Sequence, residues 1–259
     1  MKVWSSRDGW VEKPSSPQME DAWFRLPSGG SGAVARWNFT DAGSSLTDIE
    51  NSIVLAPYST YDNVQPGVFR GVKCVQTTKT GFLEGASELL RIFGDVTLEM
   101  IWLRQNSVSA GSQPYGVVLF NYYGSAALTQ TNNRLYSIGI ADYGSTLIWR
   151  HQHGVQVSDD YTVGYAAGLN RPTYVAGTRL GTVVSIYSDG VLLGSSDLLD
   201  LPDGGDSPDH TLMVGGTRYV DAIPGSTNAS FFSGAITARA MPASEIYSRY
   251  QATTANFYR

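Results

Sequence analysis

The feature that most constrains this chain is the dipeptide Asp189-Gly190, set between apolar-alternating runs at 183–188 and 191–194. A two-residue connection of this kind requires positive φ at both central residues, which Asp and Gly tolerate best, and it joins antiparallel neighbours. A β-hairpin is therefore predicted here, and similar short runs recur along the chain. The clearest is Val96-Thr97-Leu98-Glu99-Met100-Ile101-Trp102-Leu103. Val96, Leu98, Met100 and Trp102 share one face, while the other face starts polar and ends apolar. That pattern predicts a strand covered on both sides over part of its length. Further strands are predicted over 116–122, 135–141, 146–150, 173–179, 182–188, 211–214 and 231–239. One short helix is predicted at 242–250, with Ile246, Tyr247 and Tyr250 on one side.

Many short strands with almost no helix predict an all-β sandwich of two antiparallel sheets. Composition agrees. Of 259 residues, 42% are hydrophobic and only 16% charged, too little charge for a disordered chain or a coiled coil. The 28 glycines and 11 prolines supply turns. The single Cys74 leaves stability to packing alone. A net charge of −5 with no Lys/Arg run argues against a nucleic-acid surface. No apolar run approaches the roughly 20 residues that span a bilayer. The first eight residues lack the apolar stretch of an export signal, so the expectation is a soluble chain not exported by the general pathway.

Residues 1–32 read as an N-terminal arm, ahead of a main domain over 33–259. The arm carries Trp4, Trp10, Trp23 and Phe24, and it closes on Ser28-Gly29-Gly30-Ser31-Gly32, which reads as a flexible joint. A short helix is expected from Ser16-Pro17 towards Leu26, ended by Pro27. Large aromatic groups left in water invite association. The arm is therefore expected either to fold back on the sandwich or to dock on a neighbouring subunit through Trp4, Trp10, Trp23 and Phe24.

Five segments in order carry a resemblance to a known family. Ala33-Val34-Ala35-Arg36-Trp37-Asn38-Phe39 resembles the opening strand of laminin-G-like domains, in the concanavalin A-like lectin/glucanase superfamily. Gly94 to Trp102 resembles a strand of that family, and Tyr174 to Arg179 with Ser185 to Ser195 resembles its central hairpin. Leu212 to Gly216, then Phe232 to Ile236 with Ser244-Glu245-Ile246, are similar to its closing elements. The resemblance covers roughly 33 to 250 and implies a jelly-roll sandwich. Thr237 stands where the family carries an acid. The fold hosts lectins, glycosidases, adhesion modules and virus-particle parts, so activity must be argued from the site.

The superfamily's glucanases place two carboxylates on one strand, spaced so that both enter one cleft. Glu99 lies on the corresponding strand, but no acid stands at 97, 101 or 103, and Glu84 and Glu88 are expected to face water. There is no Gly-x-Ser-x-Gly elbow. His151 and His153 alternate on a strand without a third ligand at metal spacing, so no metal is expected there. The acidic run Asp197, Asp200, Asp203, Asp206 and Asp209 leaves calcium as the alternative to a solvated loop, and no other cofactor is expected. Sugar binding would use aromatic faces beside short polar groups, for which the candidates are Tyr122, Tyr123, Asp142, Tyr143 and His151. Trp102 and Trp149 read as core plugs.

The expected function is a non-enzymatic structural and binding module. Its expected setting is a virus particle, as a capsid decoration or tail appendage, with protein subunits as partners. The alternatives are a carbohydrate-binding lectin at a cell surface, and a divergent glycosidase that draws its carboxylates from separate strands.

Overall fold

The computed structural model describes residues 2–5, 9–12, 24–39, 46–57, 64–77, 81–104, 115–123, 134–141, 146–153, 157–165, 171–198, 211–215 and 229–255. In chain order the strands are β1 (Lys2–Ser5), β2 (Gly9–Glu12), β3 (Ala33–Asn38), β4 (Leu46–Thr47), β5 (Val54–Pro57) and β6 (Val64–Phe69). They continue with β7 (Val72–Thr77), β8 (Leu83–Ala86), β9 (Val96–Arg104), β10 (Tyr115–Tyr123), β11 (Arg134–Ala141) and β12 (Thr146–His153). The last are β13 (Val157–Gly164), β14 (Pro172–Leu180), β15 (Val183–Ser188), β16 (Val191–Asp197), β17 (Thr211–Val214) and β18 (Ala229–Thr237), followed by helix α1 (Ala243–Ala252).

The molecule is all-β and its two large sheets are antiparallel throughout. The first sheet runs β16-β15-β14-β9-β18-β7-β6, with β3 also on β18, and the second runs β13-β12-β11-β10-β17-β8-β5-β4. Among the described residues β1 and β2 pair only with each other. The expected hairpin is present. Asp189 and Gly190 have φ of 48° and 77°, and Val183 to Ser188 turn back onto β16. The sequence reading passed over β13 and the strands between 46 and 86. These are short or polar, and their assignment rests on cross-strand partners rather than on periodicity.

The core lies between the sheets. Trp37, Leu98, Met100, Trp102, Ile138, Trp149, Val175, Ile186, Leu212, Val214 and Phe231 are all buried there, so both Trp102 and Trp149 are core residues. As its sequence implies, β9 is covered on both sides. Its second face puts Ile101 and Leu103 into a separate apolar cluster with Phe24, Leu26, Tyr174, Phe232, Met241 and Ile246. The first sheet thus has a lid on its outer side, made of residues 24–28 and α1. Within α1 the covered positions are Ile246, Arg249 and Tyr250, spaced three and four apart, whereas Tyr247 turns to solvent at 51% exposure.

The glycine–serine stretch, expected to be a flexible joint, is instead hydrogen-bonded along its length. Arg249 donates to the carbonyls of Pro27 and Ser28, and Arg239 donates to those of Gly29 and Ser31. Arg239 is itself held by Glu245 at 2.5 and 2.8 Å. Gly29 lies against Thr237, whose Oγ1 would sit 2.4 Å from an added Cβ, so backbone approach at this point depends on glycine. The helix expected before Leu26 lies largely outside the described residues.

Gly190 carries two constraints at once. Its φ is +77°, and an added Cβ would meet Tyr250 at 2.9 Å and Tyr247 at 3.0 Å. Gly181, in the preceding hairpin, has φ +57° with nothing within 4 Å of an added Cβ. Gly181→Ala should therefore cost only the left-handed backbone penalty of about 1–2 kcal/mol. Gly190→Ala should cost clearly more, because α1 must also shift, and urea denaturation of the two variants side by side checks the order.

Candidate functional site

Glu99 is the acid on β9 weighed above as a catalytic carboxylate, and the structure shows what engages it. The residue is 1% exposed and faces the lid, not the core between the sheets. Arg249 holds both carboxylate oxygens, Nε to Oε1 at 2.6 Å and Nη2 to Oε2 at 2.7 Å, and the Tyr174 hydroxyl donates to Oε1 at 2.6 Å. A carboxylate engaged in this way, under a lid, has no lone pair directed at solvent or at a bound sugar. Its work is to fasten α1 and residues 27–28 to the sheet. Burial, and then the charge of Glu99, push the Tyr174 phenol well above its ordinary pKa. Burial pulls the Arg249 guanidinium down, but the hydrogen bonds and charge of Glu99 outweigh it and hold the cation.

A second buried cation organises one end of the sandwich. Arg179 is fully buried and donates to the backbone carbonyls of Ile92, Phe93 and Gly94. Burial lowers its pKa to about 10. The Gly181 N–H beside it donates to Asp95 Oδ1 at 2.8 Å, so the tip of the β14–β15 hairpin is tied to the segment before β9.

Of the candidate sugar-contacting residues, His151 is the one whose surroundings the structure describes. His151 is fully buried, with Nδ1 accepting from Trp149 Nε1 at 3.3 Å. It stands at an inner position of β12, in step with Leu147 and Trp149, so a wet-edge role for His151 is overturned by the strand's alternation. Tyr122 is in register with Tyr136 and Leu212, both of which are buried towards the core. Tyr123 is in register with Thr211 on β17 and with Arg134 on β11, where the β10–β11 register shifts. Asp142 and Tyr143 lie outside the described residues. In the arm, Trp4 and Trp10 are direct partners in the β1–β2 hairpin, and Trp23 lies outside the described residues. Phe24 is folded back onto the sandwich with its ring 4.6 Å from that of Phe232, which removes it from any docking role.

The outer face of the second sheet carries an arrangement the sequence alone did not reveal. Register places Ala56, Glu84, Met213, Asn121, Ser137, Arg150 and Asp160 in one continuous row across β5, β8, β17, β10, β11, β12 and β13. Position 123, beside Thr211, belongs to the adjacent row on the same face. Strands lie about 4.8 Å apart, so a row of seven extends roughly 29 Å. Glu84 and Arg150 are half-buried, and Ser137 and Met213 are buried. The row thus combines a small apolar surface, amide and hydroxyl groups and charges of both signs. Strand alternation made each residue's face legible, but only the register puts the seven side by side. Glu84 was expected merely to face water, and Asn121, Ser137 and Asp160 gave no local signal. Among the described residues no group of three or more His, Cys, Asp and Glu side chains is gathered as metal ligands. Of the acidic run only Asp197 is described, at the end of β16.

No protein-family model matches the chain, and no curated protein matches it in sequence. Solved structures do match in shape. The binding domain of botulinum neurotoxin DC in complex with rat synaptotagmin II superposes with a TM-score of 0.60 at 16% identity, over 85% of this chain and 51% of that one. The binding domain of botulinum neurotoxin serotype G gives 0.59 at 14% identity, over 85% and 50%. A botulinum neurotoxin type C structure, described as entering cells through interaction with two ganglioside molecules, gives 0.60 at 14%, over 85% and 51%. The chain spans about half the length of these structures, and at such identity the likeness establishes the sandwich fold.

Removing one partner of the buried Glu99–Arg249 pair strands the other charge, so Glu99→Ala should lose about 3–5 kcal/mol in urea denaturation. The raised Tyr174 pKa adds a pH dependence. The neutral phenol is favoured in the fold, so its contribution is complete below the unfolded value near pH 10 and is lost as pH rises above it. Wild-type stability should fall above about pH 10, and Tyr174→Phe should fall less steeply, as equilibrium unfolding across alkaline buffers will show.

Proposed function

We propose that this chain is a non-enzymatic binding module that takes extended glycans across the outer face of its second sheet. The observation that carries this reading is the seven-residue row ending in Arg150 and Asp160, which sets polar and charged positions along one line of the sheet. Hydroxyl-rich chains fit such a line, because successive sugars can meet successive polar groups along it. Glu99 argues in the same direction, since both its oxygens are committed to Arg249 and Tyr174. The matched toxin domains are described with a protein receptor, a sialylated ligand and gangliosides, which supports recognition of cell-surface molecules as the use of this sandwich.

A second part of the reading concerns the N-terminal hairpin. A lone two-stranded ribbon is marginally stable in water, and β1–β2 joins neither large sheet. With Trp4 opposite Trp10, it suits docking into a larger assembly, of which a virus particle is the setting we favour.

Both parts are testable. Wild-type protein on a glycan array should bind a defined set of oligosaccharides, and Arg150→Ala and Asn121→Ala should each weaken that binding about tenfold, the worth of one good hydrogen bond. A blank array, or variants that bind like the wild type, would remove the glycan face. Deleting residues 1–12 should leave the melting temperature unchanged while abolishing incorporation into the parent assembly.

A further inference from the structure

Residues 24–31 cross the outer side of the first sheet without pairing as a strand, yet every carbonyl from Leu26 to Ser31 accepts a hydrogen bond. Arg36 donates to Leu26, Arg249 to Pro27 and Ser28, and Arg239 to Gly29 and Ser31, while the Ala33 N–H closes on Gly30. Each of these arginines is aimed by a carboxylate: Arg36 by Glu50 at 2.9 Å, Arg249 by Glu99, and Arg239 by Glu245. A strand takes its partners from a neighbouring backbone. This strap takes them from guanidinium groups, whose rigid fork can grip a carboxylate and still spare N–H groups for carbonyls.

Most of those donors depend on α1. Arg249 stands on the helix, and Arg239 is held by Glu245 in the helix's first turn. The two segments also share one apolar cluster, to which the strap gives Phe24 and Leu26 and the helix gives Ile246 and Tyr250. Withdrawing the helix removes the donor to Pro27 and Ser28 and frees Arg239 from its carboxylate. The strap then keeps Phe24 against Phe232, Arg36 on the Leu26 carbonyl, and the Leu26 N–H on Ser233 Oγ at 3.2 Å.

We propose that residues 24–31 and α1 form a single latch, which opens and closes on the first sheet as one unit and couples the N-terminal segment of the chain to its C-terminal helix. A partner that draws out residues 24–31 loosens α1, and one that lifts α1 frees the segment leading back to β1 and β2, because a coupling between two sites acts equally in both directions. Opening costs Glu99 both hydrogen bonds from Arg249, which keeps the open state a minor one.

Amide hydrogen exchange of the full chain, read by mass spectrometry, tests the coupling. In the wild type, 24–31 and 243–252 should open with similar constants and more often than 146–153 in the second sheet. Ser248→Pro, at an exposed position inside α1, should raise exchange over 243–252 about a hundredfold. Exchange over 24–31 should rise with it, at least tenfold, while 146–153 stays unchanged. Phe24→Ala should act in the opposite direction, raising exchange over 243–252. The milder Glu245→Gln keeps the helix backbone and weakens the hold on Arg239, and should raise exchange over 24–31 about tenfold. A strap that stays protected while α1 opens would overturn the proposal. So would an α1 indifferent to Phe24→Ala, or an equal rise over 146–153, which would make the lid part of one global unit.

Discussion

The ion pair between Glu99 and Arg249 is the interaction on which the outer half of the molecule depends. It joins β9, at the middle of the first sheet, to a helix 150 residues later in sequence. Coulomb attraction in so buried a place is strong, but desolvating two charges offsets much of it, so the pair's net worth lies less in stability than in placement. Arg249 can satisfy Glu99 only when α1 lies across the sheet at one position and one rotation. From there its remaining N–H groups reach the carbonyls of Pro27 and Ser28. Without that anchor the apolar lid could slide over Ile101, Leu103 and Phe232 with little change in buried area, because apolar contact carries no direction.

The lid divides the sandwich into two unlike faces. The middle of the first sheet is covered on both sides, by the second sheet and by residues 24–28 with α1, so its central strands are buried along nearly their whole length, as β14 and β18 are. The second sheet gives one face to the shared core and keeps a polar row on the other. On that outer side Glu84, Ser137 and Arg150 stand in line, with Ser137 and Met213 buried and Glu84 and Arg150 half-buried. The structure therefore narrows the search for a ligand before any chemistry is considered.

Much of this was legible in the chain, and the remainder was hidden for identifiable reasons. Asp189-Gly190 and the two-faced pattern of β9 are local signals, written within ten residues, and both appear in the structure as read. The partnership of Glu99 with Arg249 was hidden because nothing in either neighbourhood encodes a contact across 150 positions. The glycine–serine stretch misled because composition reports what a backbone can do alone, while two arginines from α1 and the segment before it decide what it does here. His151 looked like a site residue because histidine so often is one, yet its strand parity, shared with Trp149, already assigned it inward. The polar row is the hardest case. Each member's side of the sheet follows from alternation, but adjacency follows from register, and register depends on features such as the β10–β11 bulges that periodicity does not determine.

An open face with a shallow polar line has a predictable weakness. Every hydrogen bond it makes replaces one to water, so each contributes only about 0.5–1.5 kcal/mol net, and no closed pocket concentrates the gain. On the proposed reading, single-copy affinity for a glycan is therefore bounded at a modest level. Repetition is the physical remedy, since a second linked site acts at an effective concentration set by geometry and raises avidity without any new contact.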